Sequence, residues 1–382
     1  MKKMLFTTIA MMLLTMGVVK AQNMVQTPLG LLPTSVYYET GKHHVQGVAV
    51  DTKNKCVYFS FTTSLIKTDY AGRLLGSVTG LSCHLGCIDL DPETGKIYGS
   101  MEYKDDVIGQ GISGASAKQR ENTFYIGIFD TKKIDRPNID AATGGVFKAA
   151  YLQEVVKMYE EKVVQGNKTL EHRYGCSGID GVAVGPQFGQ QGGKKILNVA
   201  FGIYGDNNRT DNDYQIILQY DPAKLEKVAR PLDKGFHHIG PKKAQKRFFA
   251  YTGNTTWGVQ NLEYDKYKGY WFMAAYNGKK PHFPNYSLFA VDGSKKAIKQ
   301  TLRGFDPQEK GLVVSLAEDG LKDMASGIRG WNFKYGSTGI ESLGGGYYYF
   351  SKPSKTKQKI QCCTLTLYKW TGNPENPFEE VK

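Results

Sequence analysis

The chain repeats itself, and internal repetition restricts the fold more than any single motif does. Five short segments share one pattern when aligned on their second aliphatic residue. They are His44-Val45-Gln46-Gly47-Val48, His84-Leu85-Gly86-Cys87-Ile88, Gly178-Ile179-Asp180-Gly181-Val182, Gly258-Val259-Gln260-Asn261-Leu262 and Gly339-Ile340-Glu341-Ser342-Leu343. The columns run His or Gly, large aliphatic, mostly polar, small, large aliphatic. Three of the segments continue to an Asp at the same offset, namely Asp51, Asp91 and Asp265.

Each segment is followed by a turn and a second apolar run, such as Val57-Tyr58-Phe59-Ser60-Phe61, Ile97-Tyr98-Gly99-Ser100-Met101 and Trp271-Phe272-Met273-Ala274-Ala275. The separations Asp51 to Ser60, Asp91 to Ser100 and Asp265 to Ala274 are all nine residues. In four units a third strand ends in Asp, at Asp69, Asp130, Asp221 and Asp292. Five repeats of three or four antiparallel strands predict an all-β chain folded as a five-bladed β-propeller. A β-sandwich with accidental likeness between hairpins is the alternative. The 44 glycines suit a fold with many tight turns and argue against a helical bundle. The last unit lacks room for an outer strand. Residues 35–39, Ser-Val-Tyr-Tyr-Glu, are expected to supply it and so cover two exposed sheet edges. Residues 146–165 interrupt the pattern, and the spacing of Val155, Val156, Met158, Tyr159 and Val163 predicts a helix or a distorted outer strand there. Residues 22–382 are then a single propeller domain.

The segments Gly47-Val48-Ala49-Val50-Asp51, Val57-Tyr58-Phe59-Ser60 and Leu65-Ile66-Lys67-Thr68-Asp69-Tyr70-Ala71-Gly72 resemble one repeat of the YVTN, NHL and SMP-30-like propellers. The resemblance is strongest in the first unit and weakest in the fifth, and it implies a superfamily rather than an activity. SMP-30-like lactonases hold a divalent cation with Glu, Asn and Asp. They have six blades against the five read here, so no ligand carries over by position.

Propeller geometry locates a site without that resemblance. The face where the innermost strand begins also carries the ends of the second strands. His43, His44, His84, His172 and His282 fall there, as do the longest loops. The third column, Gln46, Gly86, Asp180, Gln260 and Glu341, is expected to ring the channel mouth. The column two residues earlier adds His44 and His84 on the same strand face. Gln46, Asp180, Gln260 and Glu341 form a candidate ligand set for a divalent cation, Ca2+ foremost, through carboxylate and amide oxygens. Asp180, Glu341, His44 and His84 are equally candidates for acid–base catalysis. A water-filled channel with a merely polar rim is the plainer reading.

Arg173, Lys104 and Arg209 are placed on the same face as possible anion clamps, and Trp257 as a platform for a sugar ring. Asp206, Asn207, Asp211 and Asp213 resemble a calcium loop in composition, without EF-hand spacing. Cys83 and Cys176 are candidates for a disulfide between neighbouring blades, and Cys83, His84 and Cys87 for a metal site. No nucleotide-cofactor fingerprint, zincin motif or nucleophile elbow is present.

The first 21 residues read as a cleavable signal peptide: Lys2-Lys3, then the apolar run Met4 to Val19, then Val19-Lys20-Ala21 before the cleavage point. An uncleaved anchor is the alternative. Export to the periplasm or the extracellular space is expected, with no membrane span after cleavage. The net charge then falls from +13 to +10, a surplus spread along the chain rather than clustered, so nucleic acid is not an expected partner. A monomer acting on a small-molecule or glycan ligand, with anionic ligands among the candidates, is expected. Two functions follow from these residues. One is a secreted hydrolase or lyase acting on a carbohydrate or small anionic ester. The other is a non-catalytic propeller that binds a glycan or a protein on the same face.

Overall fold

Five small sheets ring a common axis, giving the five-bladed β-propeller that the repeats predict. The computed structural model of the chain describes residues 23–41, 43–113, 121–232 and 236–382. The expected leader, Met1 to Ala21, lies outside the described residues. The innermost strands are Gly47–Asp51, His84–Asp91, Cys176–Gly185, Thr256–Asp265 and Ile340–Gly344, and each packs against the next until the fifth meets the first. Blades are covered on both faces, so their middle strands are apolar without alternation. Cys56–Ser60 and Ile196–Ile203 are buried along their whole length.

The Asp residues that punctuate the repeats end strands and organise turns. Asp51 accepts the N–H of Asn54 at 2.8 Å, Asp265 that of Lys268 at 2.9 Å, and Asp292 that of Ser294 at 3.0 Å. Each is a side chain satisfying the backbone of the turn that follows it. They are structural residues, not ligands.

Closure follows the expected route and adds a second strand. The third strand of the last blade, Gln361–Trp370, pairs antiparallel with Ser35–Thr40 along its first half and with Phe378–Glu380 along its last residues. Both chain ends therefore cover one edge, with Val36 and Leu365 fully buried in the seam. The interruption at 146–165 is part strand and part helix. Phe147–Tyr151 is the outer strand of the second blade, Gln153–Glu160 is a helix, and Lys162–Gln165 starts a small hairpin. The helix buries Val155, Val156, Met158 and Tyr159 against the core.

The small residue of each repeat has a packing reason. A Cβ on Gly47 would stand 2.8 Å from the Cα of Cys87, because neighbouring inner strands approach to backbone contact at the channel waist.

The fifth unit sits three residues out of the expected register. Glu341 pairs with Tyr349, as Ala49 pairs with Tyr58, Asp89 with Tyr98 and Glu263 with Phe272. Glu341 is thus the counterpart of Ala49, Asp89 and Glu263, while Thr338 takes the place of Gln46. The ambiguity lies in the pattern itself. Val45 and Val48 are both aliphatic and three apart, so Ile340 matches either one.

The seam is expected to carry measurable stability. Val36→Ala should cost about 2 kcal/mol in chemical denaturation. Tyr37→Ala, on the exposed side of the same strand, should cost less than about 0.5 kcal/mol.

Candidate active site at one mouth of the channel

The mouth where the inner strands begin opens into a cavity of about 470 Å3. Two repeat columns build its wall. From the inner strands come Gln46, Asp180 and Gln260; from the ends of the second strands come Thr62, Glu102 and Tyr276. His43, His44, His84, Lys104 and Trp257 complete the polar and aromatic lining. The second-strand column was not anticipated. Its signal was present in the sequence, since Thr62, Glu102 and Tyr276 each lie two residues beyond the repeat positions Ser60, Ser100 and Ala274.

The chemistry concentrates on His84, Glu102 and Asp180, which each place one ligand-type atom within 4.8 Å of the other two. His84 Nδ1 lies 3.7 Å from Glu102 Oε2 and 3.8 Å from Asp180 Oδ1, and it is buried without a hydrogen-bond partner. Glu102 is held from two sides. Its Oε1 accepts the Ile179 N–H at 2.7 Å, and its Oε2 meets Lys104 Nζ at 2.9 Å. Gly178, at φ +125°, leaves the space in which the Glu102 carboxylate lies; a Cβ there would overlap Oε1. Asp180 Oδ2 accepts from Gln260 Nε2 at 3.0 Å.

Burial sets the protonation of this group. It lowers His84 to about 3, helped by the charge of Lys104, so the imidazole is neutral near neutral pH. Burial raises both carboxyls. At Glu102 the Lys104 ammonium and the Ile179 N–H oppose that rise. At Asp180 repulsion from Glu102 adds to it, with Lys104 and the Gln260 amide opposing, and Asp180 is the carboxyl pushed further above its ordinary value. For Lys104, burial alone would lower the ammonium, but Glu102, Asp106 and Asp180 raise it, and it stays charged.

Several expected members stand elsewhere. Glu341, following its register, leaves this mouth and lines a second cavity among the turns between first and second strands, so the set Gln46, Asp180, Gln260 and Glu341 does not assemble. It joins Asp89 and Glu263 in a separate carboxyl trio, also within 4.8 Å. Arg173 lines a third cavity, tied to Glu161 and Glu309 at 2.8 Å each. Arg209 is buried and paired with Asp211 at 2.8 Å. Asp213 pairs with Lys280, so the acidic loop at 206–213 spends two of its carboxylates on internal cations. His172 packs between the rings of Tyr159 and Tyr204 rather than lining the mouth. All six cysteines are free and buried, including Cys83 and Cys176.

Trp257 and Tyr276 are the accessible aromatics of the cavity, 38% and 37% exposed. At the trio itself, Lys104 Nζ, 2.9 Å from Glu102 Oε2, places a positive charge beside one of the two carboxyls.

Comparison with models of known protein families finds none that matches this chain, and comparison with curated proteins finds no match. Because His84 titrates below its ordinary 6.5 in the folded state, the unfolded chain takes up a proton first as pH falls. Stability present above pH 6.5 is then lost on the way down to about 3. His84→Gln has no such loss. Urea denaturation should show the two proteins diverging on acidification, with the variant losing about 2 kcal/mol less by about pH 5.

Proposed function

We propose that this protein is an exported propeller enzyme, a hydrolase or lyase that acts on a carbohydrate held in the His84 cavity. The observation that carries this reading is the buried trio itself. A neutral imidazole with an unpartnered Nδ1 lies within 4 Å of two carboxyls, one stabilised by a lysine and the other raised by burial and by its neighbour. Such a pairing separates an acid from a base, which proton transfer to a leaving group and from a nucleophile requires. Asp180 is the proton donor, Glu102 the carboxylate held ionised by Lys104, and the neutral His84 imidazole a close neighbour of both. Gln260 and Gln46 orient the groups beside them.

Of the two substrate classes the sequence suggests, the lining favours the carbohydrate over the small anionic ester. The arginines expected to clamp an anion are committed elsewhere. Lys104 is taken by Glu102 and by the Ser177 carbonyl at 2.9 Å. Trp257 and Tyr276 offer ring faces on which a sugar can stack. A second reading, a glycan-binding propeller without chemistry, rests on those same two aromatics.

Turnover assays on a panel of glycosides and oligosaccharides test both readings. Asp180→Asn should lower kcat by about 100-fold or more while leaving KM within a few-fold. Trp257→Ala should chiefly raise KM. Unimpaired turnover by Asp180→Asn would exclude the acid role. Binding without any turnover by the unaltered protein would leave the non-catalytic reading. Export is tested on protein recovered outside the cytoplasm, whose first residue should be Gln22; an intact Met1 would reject cleavage.

A further inference from the structure

The carboxyl trio at the far end of the channel has no part in the chemistry above. Asp89, Glu263 and Glu341 occupy one repeat column on the inner strands of blades two, four and five, where the first and third blades carry Ala49 and Ala183. Each is anchored by the next blade. Asp89 Oδ2 accepts the Val184 N–H at 2.6 Å, Glu263 Oε1 accepts the Ser342 N–H at 2.7 Å, and the Val50 N–H faces Glu341. These bonds orient the carboxyls toward the axis and leave further oxygens uncommitted. One oxygen is orphaned outright. Glu341 is 8% exposed, and its Oε2 is buried with no hydrogen-bond partner.

We propose that Asp89, Glu263 and Glu341 form an axial site for a hard divalent cation, Ca2+ foremost, at the end of the channel opposite the His84 cavity. Three oxygens within 4.8 Å of one another match a site that encloses one ion. All three ligands are oxygens, which suits Ca2+ or Mg2+ rather than a softer metal. The contrast with the upper trio supports the assignment. There Lys104 sits at 2.9 Å from a carboxylate, whereas among the described residues no Lys, Arg or His lies within 4 Å of these three carboxyls. Lys195 acts on Asp89 from outside contact distance, and Lys53 and Lys266 line the same cavity. A cluster of buried carboxylates with no cation in contact is costly, and a bound ion relieves the repulsion among all three at once. An entry path exists, because the trio borders a cavity of about 450 Å3 lined by the short turns of that face. The ion would bridge three blades across the axis, a structural staple independent of catalysis at the other mouth.

The test uses the full-length folded protein and Ca2+ and Mg2+ as probes. Elemental analysis of protein purified without chelators, and calorimetric titration after chelation, should each give about one Ca2+ or Mg2+ per chain. Chelation should lower the melting temperature, and the added ion should restore it. Glu341→Gln, nearly equal in shape, should weaken binding by about tenfold or more, and Asp180→Asn should leave it unchanged. If Glu341→Gln fails to fold, the stoichiometry of the unaltered protein and the Asp180→Asn control still decide. No uptake of either ion, or uptake lost in Asp180→Asn and retained in Glu341→Gln, would overturn the proposal. No uptake combined with a more stable Glu341→Gln would identify shared protons as what relieves the cluster.

Discussion

The structure depends on polar bonds passed between blades around the axis, from inner and second strands to the backbone of inner strands. Ser60 Oγ donates to the Gly86 carbonyl and Ser100 Oγ to the Asp180 carbonyl, each at 2.6 Å. Asn261 Nδ2 reaches the Gln46 and Ser337 carbonyls at 2.9 and 3.1 Å. Asp89, Glu263 and Glu102 return bonds to backbone N–H groups of neighbouring blades. Inner strands of a propeller lie side by side without a shared ladder, so their edge groups need side-chain partners once water is excluded. These partners hold the blades at a common height, and that height gives the two channel mouths their contents.

The same bonds explain why polar groups gather at both ends of a narrow waist. At the waist Gly47 stands in backbone contact with the second blade, and no long side chain fits. Larger polar residues can point only above or below it. Above, the second-strand residue Glu102 reaches across to Ile179 and draws His84, Asp180 and Lys104 around itself. Below, three carboxyls reach to the following blade. Burial then acts in opposite directions at the upper trio, each time favouring the neutral form: it lowers His84 and raises Asp180. Below, it raises Asp89 to about 7, with Asp91 adding and Lys195 opposing, and raises Glu263 and Glu341 well above their ordinary values, with repulsion from Asp89 adding at both.

Charged residues that looked available in the sequence are largely spent inside the fold. Arg173 and Arg209 are bound to Glu161, Glu309 and Asp211, and Lys280 is buried against Asp213. A loop rich in charge of both signs satisfies itself when it packs on a blade, because an unpaired buried ion costs more than a paired one. What remains open at the mouth is aromatic, imidazole and amide in character.

Blade number, strand order and the closing role of residues 35–39 were legible in the sequence, because hairpins repeated with one internal spacing and Asp-terminated strands admit few arrangements. So were Asp180, Gln46, Gln260, His84, Lys104 and Trp257 as lining of one face. Tertiary structure alone decided the rest. It chose between two registers for Ile340 that an aliphatic spacing of three leaves equal, and so sent Glu341 to the far mouth. It brought Glu102 from a second strand to His84 and Asp180, a contact set by the twist and height of adjacent blades rather than by spacing along the chain. It also settled which charges find partners, since pairing depends on which loops meet across blades and no local pattern records that.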